Sequence, residues 1–138
     1  MFITDDDYAV VIGKEAFKAV TQASADTREA AEAEAVEEVF SYLRPAYDCD
    51  AIASAKEGTR NRMIIKCVVD IALHNMAASL PQKMASEVRQ ERYDRAIKWL
   101  EGVQAGDITP DLPLKETSGP ATPCNTIFYS DPKLRHNW

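Results

Sequence analysis

The residues best placed for chemistry are Asp70 and His74, in the stretch NRMIIKCVVDIALHNMAASL spanning 61–80. On a helix their spacing sets a carboxylate one turn from an imidazole, the pairing used by a general base and its orienting acid. Arg62 and Lys66 extend the same every-fourth-residue stripe. A row of four polar groups of mixed sign reads better as a seam between helices or subunits than as a dyad. His136 is remote in sequence, and GxSxG, HExxH, P-loop and GxGxxG patterns are absent. The inventory argues against an enzyme, and no cofactor is expected.

Metal and redox chemistry have similarly thin support. Cys49, Cys67 and Cys124 are odd in number, far apart and without CxxC spacing, which suits a reducing compartment better than a disulfide framework or zinc site. Asp5, Asp6 and Asp7 are consecutive, so they cannot all face one ion from a helix. The segment 42–52 gathers Tyr42, Arg44, Tyr47, Asp48 and Asp50, and reads as a structured turn with packed tyrosines and capping aspartates. Arg89, Arg92, Arg95 and Lys98 suggest a DNA-reading helix at first sight. They alternate with Glu87, Glu91, Asp94 and Glu101, which would repel phosphates, so a solvated, salt-bridged face is expected instead.

These residues need elements to hold them. From Met63 to Leu80 apolar residues fall on nearly every side of a helical wheel, as in a helix buried at the centre of a domain. Residues 61–80 would span about 30 Å, the width of a small domain. Thr59 is a candidate cap before this helix, and Pro81 closes it. At the N-terminus, Thr4 and Asp7 have capping-box spacing, and Ile3 with Tyr8 can form a hydrophobic staple. The three aspartates then sit on the positive end of the helix dipole. Gly13 breaks this helix, and Lys14 to Val20 forms a second short one. Ser24 or Asp26 starts a long helix to Leu43, with Glu29 three residues after Asp26. Its later half carries Val36, Val39, Phe40 and Leu43 at packing intervals. Its earlier half, with Glu32, Glu34, Glu37 and Glu38, is expected to be solvated or to meet a partner.

The last helix runs from Ser86 to Gln104. Tyr93, Ala96, Ile97, Leu100 and Val103 form its buried stripe, with Glu91–Arg95 and Asp94–Lys98 pairs outside and Gly106 as its cap. Beyond Gly106 the chain changes character. Five of the seven prolines lie between Pro110 and Pro132. Residues 115–138 are expected to form an extended arm in which Asn125–Tyr129 reads as a short strand. Ile127, Phe128, Tyr129 and Trp138 can dock on another surface or fold back on their own domain. The fold class is therefore all-α: a small helical bundle around one buried helix, residues 1–114, followed by the arm.

The bulk numbers agree with one domain of 138 residues. A chain of this size buries roughly two-thirds of its unfolded surface. The acidic start is unlike a secretory signal, and charge interrupts every apolar run, so no membrane span is expected. The net charge of −6 disfavours a general nucleic-acid binder. Residues 1–50 carry 12 acids and 4 bases, whereas residues 51–138 carry 10 acids and 12 bases. A subunit so polarised suits head-to-tail packing with copies of itself.

The segments MFITDDDY, VEEVFSYLRPAYDCDAI, DIALHNM and RYDRAIKWLEGVQAGDITPDLP resemble a family of small proteins encoded beside head genes in Mu-like phages and prophages. That family is grouped with the head-tail connector, or head-completion, proteins of tailed phages. The resemblance covers most of residues 1–114, and the ending from Ser130 to Trp138 resembles some related prophage proteins more loosely. It implies an all-α virion protein at the head–tail junction, assembled in the bacterial host cytoplasm into a ring, expected to be dodecameric, below the portal protein. Such a ring extends the channel for packaged DNA, which passes without sequence-specific binding, and supports a tail or stopper protein. Glu32, Glu34, Glu37 and Glu38 would line an acidic lumen, since like charges do not pair with phosphates. Arg44, Tyr47, Asp48 and the apolar beads of the arm are the other expected interface residues. The competing reading is a small cytoplasmic helical binding or regulatory protein acting as monomer or dimer.

Overall fold

A computed structural model describes residues 2–76 and 86–116. Among these residues there are six α-helices and a single 3-10 turn, with no strand beyond one isolated bridge. The helices are α1 (Asp5–Ile12), α2 (Lys14–Val20), α3 (Ala25–Leu43), α4 (Cys49–Ser54), α5 (Arg62–Asn75) and α6 (Ser86–Ala105). The protein is an all-α bundle, as its periodicity predicts.

Local chemistry sets the helix starts. Thr4 Oγ1 accepts from the Asp7 amide at 3.3 Å while Asp7 Oδ2 accepts from the Thr4 amide at 2.8 Å, so the predicted capping box closes α1. Ile3 and Tyr8 on either side of it are both fully buried. Gly13, at φ 86° and ψ 153°, ends α1 and starts α2, a conformation that side chains beyond glycine resist. Ser24, the first of two candidates, caps α3 by accepting from Thr27 at 3.2 Å. Asn61, not Thr59, caps α5, its Oδ1 taking the Met63 and Ile64 amides at 2.9 and 3.3 Å. Thr59 instead sits inside the 3-10 turn and bonds the Lys56 carbonyl.

α5 is the centre of the bundle. Nine of its residues from Ile64 to Leu73 are buried. It packs against α1, α3 and α6, while α3 and α6 also meet. The described part of the helix stops at Asn75, short of the expected Leu80; residues 77–80 and Pro81 lie outside the described residues. From α3, Ala31, Ala35, Val39, Phe40 and Leu43 face inward; from α6, Ala96, Leu100 and Val103 do so. Each large apolar side chain fully buried here stabilises the fold by about 1.5–3 kcal/mol relative to exposure.

The segment 42–52 is more ordered than a turn. Asp48 Oδ1 accepts from the Ala51 amide at 3.0 Å and launches the six-residue α4. Only Ile52 of that helix is buried, so it leaves no periodic apolar signal. After α6, Gly106 at φ 84° turns the chain. Residues 107–116 then run back over the bundle. The Asp48 amide donates to the Pro113 carbonyl at 2.9 Å, and the Lys115 amide to the Ala46 carbonyl at 3.1 Å. These bonds frame an antiparallel bridge between Tyr47 and Leu114. The chain is thus still tethered to the bundle at Lys115.

Candidate functional site

The polar stripe of α5 divides between two neighbours. Asp70 is only 4% exposed, and its Oδ1 accepts from Arg92 Nε of α6 at 2.7 Å. Arg92 Nη2 also donates to the Val11 carbonyl at the end of α1, at 3.1 Å. One guanidinium therefore ties three helices together. Burial pushes the Asp70 carboxyl above its ordinary value, and the Arg92 bond only partly opposes this. His74 stacks on Tyr93 with ring centroids 4.0 Å apart and lies 3.3 Å from Gln90 Oε1. Asp70 and His74 thus engage different partners, and the seam reading describes their geometry. Arg92 is not on a solvated face, contrary to expectation, and Arg89 is buried at 6% exposure. Glu91 and Arg95 pair at 3.0 Å, as their spacing suggests. Asp94 is met by Gln90 at 2.9 Å rather than by the expected Lys98.

A second polar cluster joins α1 and α2 to α3. Glu32 is 4% exposed and accepts from the Tyr8 hydroxyl at 3.0 Å and from Arg28 Nε at 2.8 Å. Arg28 Nη2 reaches Asp5 at 2.6 Å. The same guanidinium sits over the Tyr8 ring at 4.9 Å and the Phe17 ring at 5.7 Å. Burial works against the charge on Arg28, but bonds to Asp5 and Glu32 outweigh it and raise its pKa. Burial, and then the Glu32 charge, push the Tyr8 phenol well above its ordinary range. Glu32 is therefore a partner of Arg28 and Tyr8 inside the fold, which corrects its expected place on a solvated face. The expectation failed because Glu32 lies on the Arg28–Glu32–Ala35–Val39 side of α3, which turns inward. The i, i+4 spacing of Arg28 and Glu32 was the available signal.

The other predicted residues divide between surface and core. Glu34 is exposed. Glu37 is exposed and holds Arg44 in a two-pronged pair at 2.6 and 2.7 Å, which keeps its carboxyl below the usual range. Glu38 accepts from the Tyr93 hydroxyl at 2.9 Å, linking α3 to α6; burial and then this bond push the phenol up to about 12. Tyr47 is buried, and Asp48 is spent as the cap of α4. Ile127, Phe128, Tyr129 and Trp138 lie outside the described residues.

Two shallow grooves draw part of their lining from the N-terminal segment. One, of about 300 Å³, is lined by the apolar Val10, Val11, Met63 and Ile65 and by the charged Asp7, Arg62 and Lys66. The other, of about 350 Å³, is lined by the apolar Phe2, Ile3, Ala33 and Val36 and by Glu29, Glu32 and Glu37. Arg60 bonds Asp7 at 2.9 Å and the Phe2 carbonyl. Among the described residues, no group of three or more His, Cys, Asp or Glu side chains is arranged to hold a metal. None of the described helices is long and apolar enough to cross a membrane.

The family described as "Bacteriophage Mu, Gp36" matches residues 2–126. No curated protein and no solved structure matches the chain.

Proposed function

We propose that this chain, which belongs to the bacteriophage Mu Gp36 family, is a structural protein of the virion at the junction of head and tail. Several copies form a ring below the portal, extend the DNA channel and support a tail or stopper protein. The role is structural and not enzymatic. The observation that carries this reading is the family match across residues 2–126, nearly the whole chain.

The bundle suits a ring subunit physically. Its polar seams use buried or half-buried ion pairs to fix helix positions, so the subunit can present rigid outer faces to neighbours. Its N-terminal half is strongly acidic, with 12 acids against 4 bases in residues 1–50. Glu29, Glu34 and Glu37 supply exposed negative charge on α3. An acidic lumen lets DNA slide past, because each phosphate meets like charge. Glu32 drops out of the lumen set because it is buried.

Mass measurement and negative-stain imaging of the purified protein, alone and with the portal, test the proposal. Rings, or assembly on the portal, are the expected result. A strict monomer with no affinity for the portal refutes it and favours a small cytoplasmic binding protein.

A further inference from the structure

We infer that the groove between α1 and the start of α5 docks the acidic face of α3 from a second copy of this chain. The inference rests on the ring reading above, and it assigns the exposed glutamates of α3 to the contact between neighbouring subunits in place of the channel wall.

The basic groove has the makings of a protein contact. Val10 is 72% exposed and Met63 40% exposed, two of the four large apolar side chains left open among the described residues. Both lie in this groove. Apolar side chains gathered in a concave patch are a cost in water that a partner removes. Arg62 and Lys66 also line the groove, and neither forms an ion pair among the described residues. Asp7 also borders the groove, but its carboxylate is engaged by Thr4 and Arg60 at 2.8 and 2.9 Å. The net sign of the lining is therefore positive. Two cations among apolar side chains make a poor phosphate track, which needs a basic stripe.

The complementary surface is on the same chain. The α3 groove is lined by half-buried Phe2 and Val36 together with Glu29, Glu32 and Glu37, of which Glu32 is held inside the fold by Arg28 and Tyr8. Glu34 adds exposed charge one turn from Glu37. Arg44 offsets part of the Glu37 charge, so Glu29 and Glu34 hold the face negative. The two grooves share no lining residue. One copy can thus offer its acidic face while its basic groove receives another. That is a heterologous contact, the kind that closes into a ring when the rotation permits.

The test uses the full chain and two charge reversals, R62E/K66E and E29K/E37K. The control K14E/K18E changes net charge as much as the first but acts at exposed lysines outside both grooves. Circular dichroism checks folding, and the neutral variants R62Q/K66Q and E29Q/E37Q provide a milder second pair. Sedimentation velocity at low salt, with or without the portal, reads self-association. Each reversal should weaken it by about tenfold or more, because like charges then face each other. The control should retain wild-type association. An equal mixture of the two reversed proteins should recover it: a reversed groove meets a reversed face, and an unaltered groove meets an unaltered face. Reversals without effect, or a mixture that stays dissociated, overturn this contact while leaving the ring reading intact. A wild type that never assembles, alone or on the portal, overturns both.

Discussion

Replacing Arg28 by Met probes the clamp that fixes α1 and α2 on α3. Met keeps most of the apolar stem and removes the guanidinium. The Asp5 arm of the clamp matters little, since Asp5 is 66% exposed and such pairs contribute a few tenths of a kcal/mol. The Glu32 arm is different. The Arg28 and Glu32 side chains are 15% and 6% exposed, so R28M strands a nearly buried carboxylate with one remaining donor, Tyr8. Breaking a buried pair from one side costs about 3–5 kcal/mol. Loss of the cation over the Tyr8 ring adds about 0.5–1 kcal/mol. Because Arg28 keeps some water contact, the lower end of both is expected, about 3.5 kcal/mol in all.

The partner substitution distinguishes a stranded charge from lost packing. E32Q removes the charge but leaves an amide oxygen that can accept from Tyr8. In the R28M background it should therefore restore stability, leaving the double variant about 1–2 kcal/mol below wild type. Urea unfolding followed by far-UV circular dichroism gives the free energies, and hydrogen exchange in α1 and α2 locates the loosening. If R28M costs less than about 1 kcal/mol, or R28M/E32Q is no more stable than R28M, the clamp argument is wrong. A lower denaturant slope for R28M would mean that α1 and α2 detach before the rest of the bundle.

Four further outcomes follow from single residues. Gly13→Ala should destabilise by about 1–3 kcal/mol in urea because of its φ of 86° alone, since nothing lies within 4 Å of the added methyl. Gly58→Ala, with open space and an ordinary φ, should be neutral to slightly stabilising, and equal effects at the two sites would undo the backbone argument. Asp70 is harder to ionise folded than unfolded, so its contribution to stability is greatest below its unfolded value near 3.8 and declines as pH rises through its higher folded value. An NMR titration of its carboxyl carbon should give a midpoint above that value; a lower midpoint would show that Arg92 dominates. Burial pushes the Cys67 thiol up to about 12, so alkylation at neutral pH should spare it in the native protein and label it in urea, as peptide mass spectrometry can follow. Rapid native labelling of Cys67 would mean that α5 opens locally.

The legible parts of this fold are those in which one interaction dominates. The apolar wheel of α5 marks the core because no other burial pattern suits so many apolar faces at once. Thr4 with Asp7, Gly13 and Gly106 mark helix ends because each meets a local backbone need. Where two signals competed, the outcome depended on contacts distant in sequence. Thr59 and Asn61 are both capable caps, and Asn61 also reaches the Asp111 carbonyl at 3.3 Å, a contact invisible before folding. The α4 helix is too short to show a period. Arg92 looked solvated because its charge resembles its neighbours'; the Asp70 carboxylate that draws it inward is on another helix.

Charge runs invite the most consequential misreading, as the glutamates of α3 illustrate. Glu32 sits one turn from Arg28 and shares the inward side of the helix with Ala35 and Val39, so adding it to the acidic total of a face overstates what the surface offers. Glu37 and Glu38 are each engaged, by Arg44 and Tyr93 respectively. The charge α3 can present to DNA or to a neighbouring copy thus rests mainly on Glu29 and Glu34. Those two residues also bear on both roles at once, because a face spent on a subunit contact cannot line a lumen. If α3 is the contact, E29K/E34K disrupts assembly before any DNA is present. If α3 lines the channel, the same variant assembles normally and retards DNA passage through new phosphate contacts. Measuring assembly and DNA retention on one variant therefore decides between the two uses of a single acidic face.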